Sequence, residues 1–196
     1  MSNVTQITFE KASTKHRENV FEWLDATHVK EFWDNSQSHK DDIFIFMNGR
    51  KEPSPYFDGI CHYWIGLMNN DPYCLVVTTE VLPTETSLSD LWRSNLSKKG
   101  KTFTIDFMIG NQKYFSKGLA VPTLEAFTSF IQTKIDPSID TFFIDPEERN
   151  KRAKHVYEKA GFHCVGDFYR DWHDEKNVRH FFMVKKSFSV EKQTSP

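Results

Sequence analysis

The sequence predicts a single domain of the α/β class, with α+β character, built on one mixed β-sheet, and three observations predict it. Residues alternate between apolar and polar over Thr102 to Ile109, and from Gly118 the period becomes helical. Strand-like and helix-like stretches then continue to alternate as far as Lys186, the pattern of a strand–helix–strand layer. Ahead of that half, His62 to Met68 and Tyr73 to Val81 are rich in aromatic and β-branched residues and flank Asn69-Asn-Asp-Pro72, which reads as an antiparallel hairpin. Joining the two halves requires a mixed sheet, here of six to seven strands flanked by about four helices.

The elements follow in order. Thr5 to Phe9 reads as an opening strand, and a helix from about Arg17 places Val20, Phe21 and Leu24 on one face. His28-Val-Lys-Glu-Phe-Trp-Asp34 begins a second helical element. Residues 36–58 give no clear element, because Asn48-Gly49 signals a turn and Pro53-Ser-Pro55 breaks regular structure. After the hairpin comes a polar loop with Lys98, Lys99 and Lys101. In the strand Thr102 to Ile109, Phe103, Ile105, Phe107 and Ile109 face one way; Thr102, Thr104, Asp106 and Met108 face the other. Ala120, Leu124, Phe127 and Ile131 line a helix that ends at Ile135-Asp-Pro137. Thr141 to Asp145 reads as a short buried strand. The next helix carries Ala153, Val156, Tyr157 and Ala160 on one stripe, with Gly161 at the position of a left-handed C-terminal cap. Strands at His163 to Tyr169 and His180 to Lys186 complete the domain, assigned to residues 1–189, and 190–196 form a polar tail.

Composition narrows the function. A chain of 196 residues buries its own core without metal or disulfide staples. Twenty-five basic against 27 acidic side chains give a net charge of -2, which offers no general attraction to nucleic acid. Cys61, Cys74 and Cys164 are odd in number and widely spaced, so neither a disulfide framework nor a zinc site is suggested. His62, His155, His163, His173 and His180 show no metal-ligand spacing, and no metal is expected. The N-terminal residues lack the basic and apolar regions of a secretory signal, and no run approaches a membrane span, so a cytoplasmic protein with no membrane partner is expected.

One junction has a chemical use. In Asn111-Gln-Lys-Tyr-Phe-Ser-Lys-Gly-Leu-Ala120, free main-chain amides at a helix start and the positive end of its dipole form an anion site fit for a pyrophosphate. Gly118 and Ala120 are small enough to let a phosphate approach, Lys117 adds charge, and Pro122 is tolerated in the first turn. A glycine before a helix is equally compatible with a plain turn.

From about Thr102 to Phe168 the chain resembles the GNAT superfamily of N-acetyltransferases. Phe115-Ser-Lys-Gly-Leu-Ala120 matches the two small residues of its Gln/Arg-x-x-Gly-x-Gly/Ala fingerprint, with Phe115 at the polar position. Asn150-Lys-Arg-Ala-Lys-His-Val-Tyr-Glu-Lys-Ala-Gly-Phe162 carries every marked residue of Asn-x-x-Ala-x-x-x-Tyr-x-x-x-Gly-Phe. Within the superfamily the chain is similar to the branch of aminoglycoside 6'-N-acetyltransferases and siderophore-biosynthesis acyltransferases. That likeness rests on Trp23-Leu24 with His28 to Trp33, on Ile105-Asp106 ten residues ahead of Ser116, and on Ile144-Asp-Pro146 before Asn150.

The resemblance implies the GNAT fold, acetyl-CoA as co-substrate and direct transfer of its acetyl group to a primary amine of a small cationic acceptor. It implies cofactor contacts from Phe107, Met108 and Ile109 on the splayed strand, from Ser116, Lys117, Gly118, Leu119, Ala120 and Val121 in the loop, and from Asn150 and Tyr157. With Phe115 and Ser116 where many relatives have Arg or Gln and Gly, the loop is expected to bind through its amides and Lys117, with no Arg or Gln side chain to help. Tyr157 matches the proton donor to the departing thiolate, or is a core aromatic. Asp106 matches the base or amine anchor, or is a solvated strand aspartate; Asp145 faces the acceptor or caps the turn at Pro146. Trp33, with Trp23 and Trp64, walls the acceptor or belongs to the core. His28 alone makes no site, and Lys98, Lys99 and Lys101 either meet a CoA phosphate or are solvated. A siderophore-type hydroxylamine acyltransferase and a non-catalytic or protein-directed CoA-binding module stay open as alternatives, as does a monomer or homodimer.

Overall fold

In the computed structural model, which describes residues 6–172 and 175–187 (Trp172 by its main chain alone), seven strands form one sheet. They are β1 (Ile7–Lys11), β2 (Cys61–Met68), β3 (Asp71–Val81), β4 (Lys101–Ile109), β5 (Ile139–Ile144), β6 (His163–Trp172) and β7 (Glu175–Lys186). Their spatial order is β1-β2-β3-β4-β5-β7-β6. Every pairing is antiparallel except β4 with β5, so the sheet is mixed as predicted. Six α-helices accompany it where about four were expected: α1 (Arg17–Asp25), α2 (Thr27–Lys30), α3 (Gln37–Met47), α4 (Asp90–Asn95), α5 (Ala120–Phe130) and α6 (Lys151–Lys159). None of the described helices is long and apolar enough to cross a membrane. The expected tail at 190–196, like Thr5 and His173, lies outside the described residues.

Both faces of the sheet are covered. Leu124 and Phe127 of α5, Tyr157 of α6 and Ala160 at its C-terminal cap bury one face against Trp64, Tyr73, Ile105 and Phe142. Val20, Trp23 and Leu24 of α1, Val29 of α2 and Ile43 of α3 bury the other against Tyr63, Ile65, Leu75, Val77 and Met108. The alternation in β4 holds: Phe103, Ile105, Phe107 and Ile109 all pack toward the α5–α6 cluster. On its opposite face Met108 is buried against the α1–α3 cluster, while Thr104 and Asp106 are half-buried.

Local signals explain most element ends. Asn69 and Asn70 turn the β2–β3 hairpin with φ of 51° and 67°, a left-handed geometry that asparagine tolerates, and Pro72 lies inside β3, not in the turn. The Asn150 side chain accepts from the Ala153 amide at 3.0 Å and caps α6; Gly161, with φ of 89°, closes it. The sequence gives no sign of α3 because its inward face is partly polar. Asp42 is buried and accepts from Arg50, from Ser54 Oγ at 2.7 Å and from Tyr63 at 2.8 Å, while Phe44 and Ile45 are exposed. Satisfied buried polar groups erase the apolar period that announces a helix. α4 gives no sign for another reason: its six residues make fewer than two turns, too short to show a period.

Candidate active site

Where β4 and β5 stop pairing, a cleft opens. The two strands run parallel with Thr104 opposite Phe143, the last paired residues, and then part. A cavity of about 960 Å³ begins there, with Asp106 to Ile109 on its β4 side, Asp145 to Glu147 on its β5 side and Val156 and Tyr157 of α6 at its base. α2 and the segment after α3 close one end with Trp33, Asp34, Tyr56 and Phe57, while Arg170 and His180 reach in from the β6–β7 hairpin.

At the other end lies the loop between β4 and α5. Ser116 and Gly118 take positive φ of 59° and 74°, and no side chain caps the start of α5, which leaves its first amides to a ligand or water. A Cβ on Gly118 would meet nothing within 4 Å, so its need for glycine is conformational and not one of space around this loop. Phe115 and Ala120 line the cleft; Ser116, Lys117 and Gly118, between them, are exposed and not among its lining residues, and the side chains of Leu119 and Val121 pack into the core. Beside this loop, expected to rely on its amides and Lys117, stands an arginine. The Arg152 guanidinium, from α6, lies 4.4 Å over the Phe115 ring and donates to Ser116 Oγ at 3.3 Å. His28 holds the same corner from α2: its ring lies 4.6 Å from Phe115, and its Nε2 is 3.1 Å from the Ile109 carbonyl. Lys98, Lys99 and Lys101 sit at the opposite end of β4 from this loop, and Lys101 pairs with Asp136 at 2.9 Å.

The charged groups are unevenly placed. Asp145 Oδ2 lies 3.0 Å from the Arg170 guanidinium, and the Asp145 carbonyl accepts from His180 Nδ1 at 3.0 Å. Burial raises the Asp106 carboxyl to about 7, with the charge of Asp145 adding to the rise and Arg170 opposing it. Burial and the same two carboxylates hold the Tyr157 phenol protonated well above its ordinary value. Tyr56 donates to Asp34 at 2.5 Å beneath a His39 ring stacked 4.6 Å away. Trp33 lines the cleft beside that stack. Trp23 and Trp64 are core residues: a Cβ on Gly110 would lie 2.3 Å from the Trp23 ring, and Trp64 Nε1 donates to Thr78 at 3.0 Å.

A splayed parallel strand pair with a left-handed loop and an uncapped helix start beside it matches a known domain. The model of the acetyltransferase (GNAT) domain aligns with residues 13–170. The chain belongs to the GNAT acetyltransferase family. Among curated GNAT relatives, the aminoglycoside N(6')-acetyltransferases type 1 of Klebsiella pneumoniae and Serratia marcescens are 24% identical over 147 residues, covering 75% of this chain and 69% of theirs. An aminoglycoside N(6')-acetyltransferase from Legionella pneumophila superposes with a TM-score of 0.71 at 25% identity over 94% of both chains. AAC(6')-Ib, solved in complex with coenzyme A and kanamycin, gives a TM-score of 0.67 at 22% identity over 92% of this chain and 95% of that one. That last likeness speaks for the GNAT fold.

Of the residues singled out in the sequence, the GNAT cleft brings together Trp33, Asp106, Phe107, Met108, Ile109, Ala120, Asp145, Asn150 and Tyr157. Missing from that set were Tyr56, Arg152, Arg170 and His180. Tyr56 falls in the stretch that suggested no element, and Arg170 and His180 are single charged residues on strands whose pairing only the folded sheet reveals. Arg152 was detectable, two residues after the family asparagine, but only by asking what replaces the polar side chain absent at Phe115.

Proposed function

We propose that the chain is an acetyl-CoA-dependent N-acetyltransferase acting on a primary amine of a small cationic acceptor of the aminoglycoside type. The observation that carries this reading is that Asp106 and Tyr157 line one cleft whose other end meets the left-handed loop at the start of α5. The loop suits a pyrophosphate: its positive-φ residues turn main-chain amides outward, the α5 dipole favours an anion, and Arg152 and Lys117 add charge. Phe107 to Ile109, past the end of the β5 pairing, suit the pantetheine arm and offer a main-chain amide to the carbonyl oxygen. When bound, acetyl-CoA supplies an acyl group activated as a thioester.

The side chains divide the proton work. Asp106 accepts the proton of the incoming ammonium or amine, directly or through water, so that a neutral nitrogen attacks the carbonyl carbon. Tyr157, kept protonated by burial, donates its phenolic proton to the sulfur as the carbon–sulfur bond breaks, and the second proton that the nitrogen sheds on becoming an amide returns to Tyr157 through water. Asp34, Asp58, Glu80 and Glu85 line the acceptor end and favour a polycation over a neutral amine.

Arg170 and Arg149 also line that end, which favours a second reading: a siderophore-type acceptor that bears a carboxylate beside its hydroxylamine or amine. Parallel turnover with kanamycin and with N6-hydroxylysine, read by free-thiol release from acetyl-CoA, separates the two. Faster turnover of kanamycin is expected; turnover of N6-hydroxylysine alone transfers the function to the second reading. Thermal stabilisation by CoA without thiol release from any amine would mark a binding module.

A further inference from the structure

The two carboxylates at the floor of the cleft stand in unlike surroundings. Asp106 lies two residues beyond Thr104 and Asp145 two beyond Phe143, so they occupy equivalent places, on the same face, past the point where β4 and β5 part. Asp145 is held on two sides. The Arg170 guanidinium lies 3.0 Å from its Oδ2, His180 is 3.0 Å from its carbonyl, and 11% of its side chain is exposed. His180 is itself fixed by stacking on Phe168 at 5.6 Å and by a β-bridge with Glu147. Among the described residues no basic side chain comes within ion-pair distance of Asp106, and none hydrogen-bonds it.

We propose that Asp145 is a positioning residue: paired with Arg170 and oriented by His180, it keeps Asp106 ready to take up a proton at neutral pH and does not itself hold the acceptor amine. The proposal rests on the reading of Asp106 as the proton acceptor. Two carboxylates in one poorly solvated space do not ionise independently, and the one with the cation beside it ionises first. The other charged and titratable groups facing the pair leave this order standing. Glu80 of β3 and Glu147 after β5 also line the cleft, Glu147 paired with Arg149, and Tyr157 of α6 and Tyr56 are phenols kept protonated by burial. Asp34 is occupied with Tyr56, and Arg149 pairs with Glu147 and Glu175. The carboxyl equilibria agree. Burial raises both; Arg170 opposes the rise at both and His180 at Asp145 as well, whereas the charge of Asp145 adds to the rise at Asp106.

The test is a carboxyl-carbon NMR titration of the full chain labelled with 13C at aspartate, with Asp106→Asn assigning the signal. The wild-type Asp106 signal should titrate near neutrality. Asp145→Asn should move its midpoint down by about one pH unit or more, and Asp145→Glu, which keeps the charge, should leave it near neutrality. A general loosening of the fold would not separate these two, and Asp145→Ser decides the question if Asp145→Asn does not fold. A midpoint unmoved by Asp145→Asn and Asp145→Ser overturns the proposal. So does an Asp145→Asn enzyme whose KM for kanamycin rises tenfold while the acid limb of its kcat/KM profile stays in place, because Asp145 would then hold the amine. If the wild type acetylates no amine, the functional reading fails while the titration still reports on the pair.

Discussion

The two ends of the cleft are built by different means. The end proposed for the cofactor is main chain: a loop with two positive-φ residues, an uncapped helix start and a strand freed from its neighbour, all within residues 104–121. The end proposed for the acceptor is side chain: Trp33, Tyr56, Asp106, Asp145, Arg170 and His180 arrive from elements spread over more than half the chain. Backbone geometry of the first kind tolerates many side chains, which is how the loop keeps its shape with Phe115 and Ser116. The second kind depends on each group's partners, so single substitutions there alter chemistry and leave cofactor binding intact.

That contrast can be broken by experiment. The largest effect is expected for Asp106→Asn, which should lower kcat/KM by about 10²–10⁴ while the Kd for CoA, measured calorimetrically, stays within twofold. Parallel loss of both would show that the two ends are not separable. Gly118→Val should act the other way round. Forcing a β-branched residue to φ of 74° costs about 1–3 kcal/mol of backbone strain, and CoA affinity should fall about tenfold to a hundredfold at that cost. Unchanged affinity would defeat the main-chain account of the loop.

Arg152→Gln probes a side chain proposed, with Lys117, to assist the main-chain end. Affinity for CoA should drop about fivefold at low salt, the scale of an exposed ion pair, and the loss should shrink as salt rises. Binding of pantetheine, which lacks the pyrophosphate, should not change; an equal loss for both would place Arg152 outside the phosphate site. The smallest effect concerns stability. Between the unfolded carboxyl value and about 7, folded Asp106 holds more proton than the unfolded chain, so the wild type loses stability as pH rises through that window. Asp106→Asn should therefore melt a few degrees above the wild type at pH 8, at about 2–4 °C per kcal/mol for a chain of this size, with the gap closing toward pH 4. A gap that does not change with pH would deny the raised carboxyl.

The same contrast governs what could be read in the sequence. The loop, Asn150 with Tyr157 and Gly161, and the alternation of β4 are local patterns, and each signals a backbone state directly. Asp106 could be picked out because its strand and register were legible. By contrast, α3 hides behind a buried aspartate, and the partners of Asp145 come from a hairpin whose register brings Arg170 and His180 to the cleft only after the sheet is assembled. Pairing across the sheet is decided by tertiary packing, and no local period records it.

The most direct measurement incubates the wild type with acetyl-CoA and kanamycin and follows both free thiol and the mass of the acceptor. The account predicts one acetyl group gained on an amine for each thiol released, and neither without enzyme. CoA binding without acetyl gain on kanamycin, or thiol release that does not depend on an amine, would contradict it.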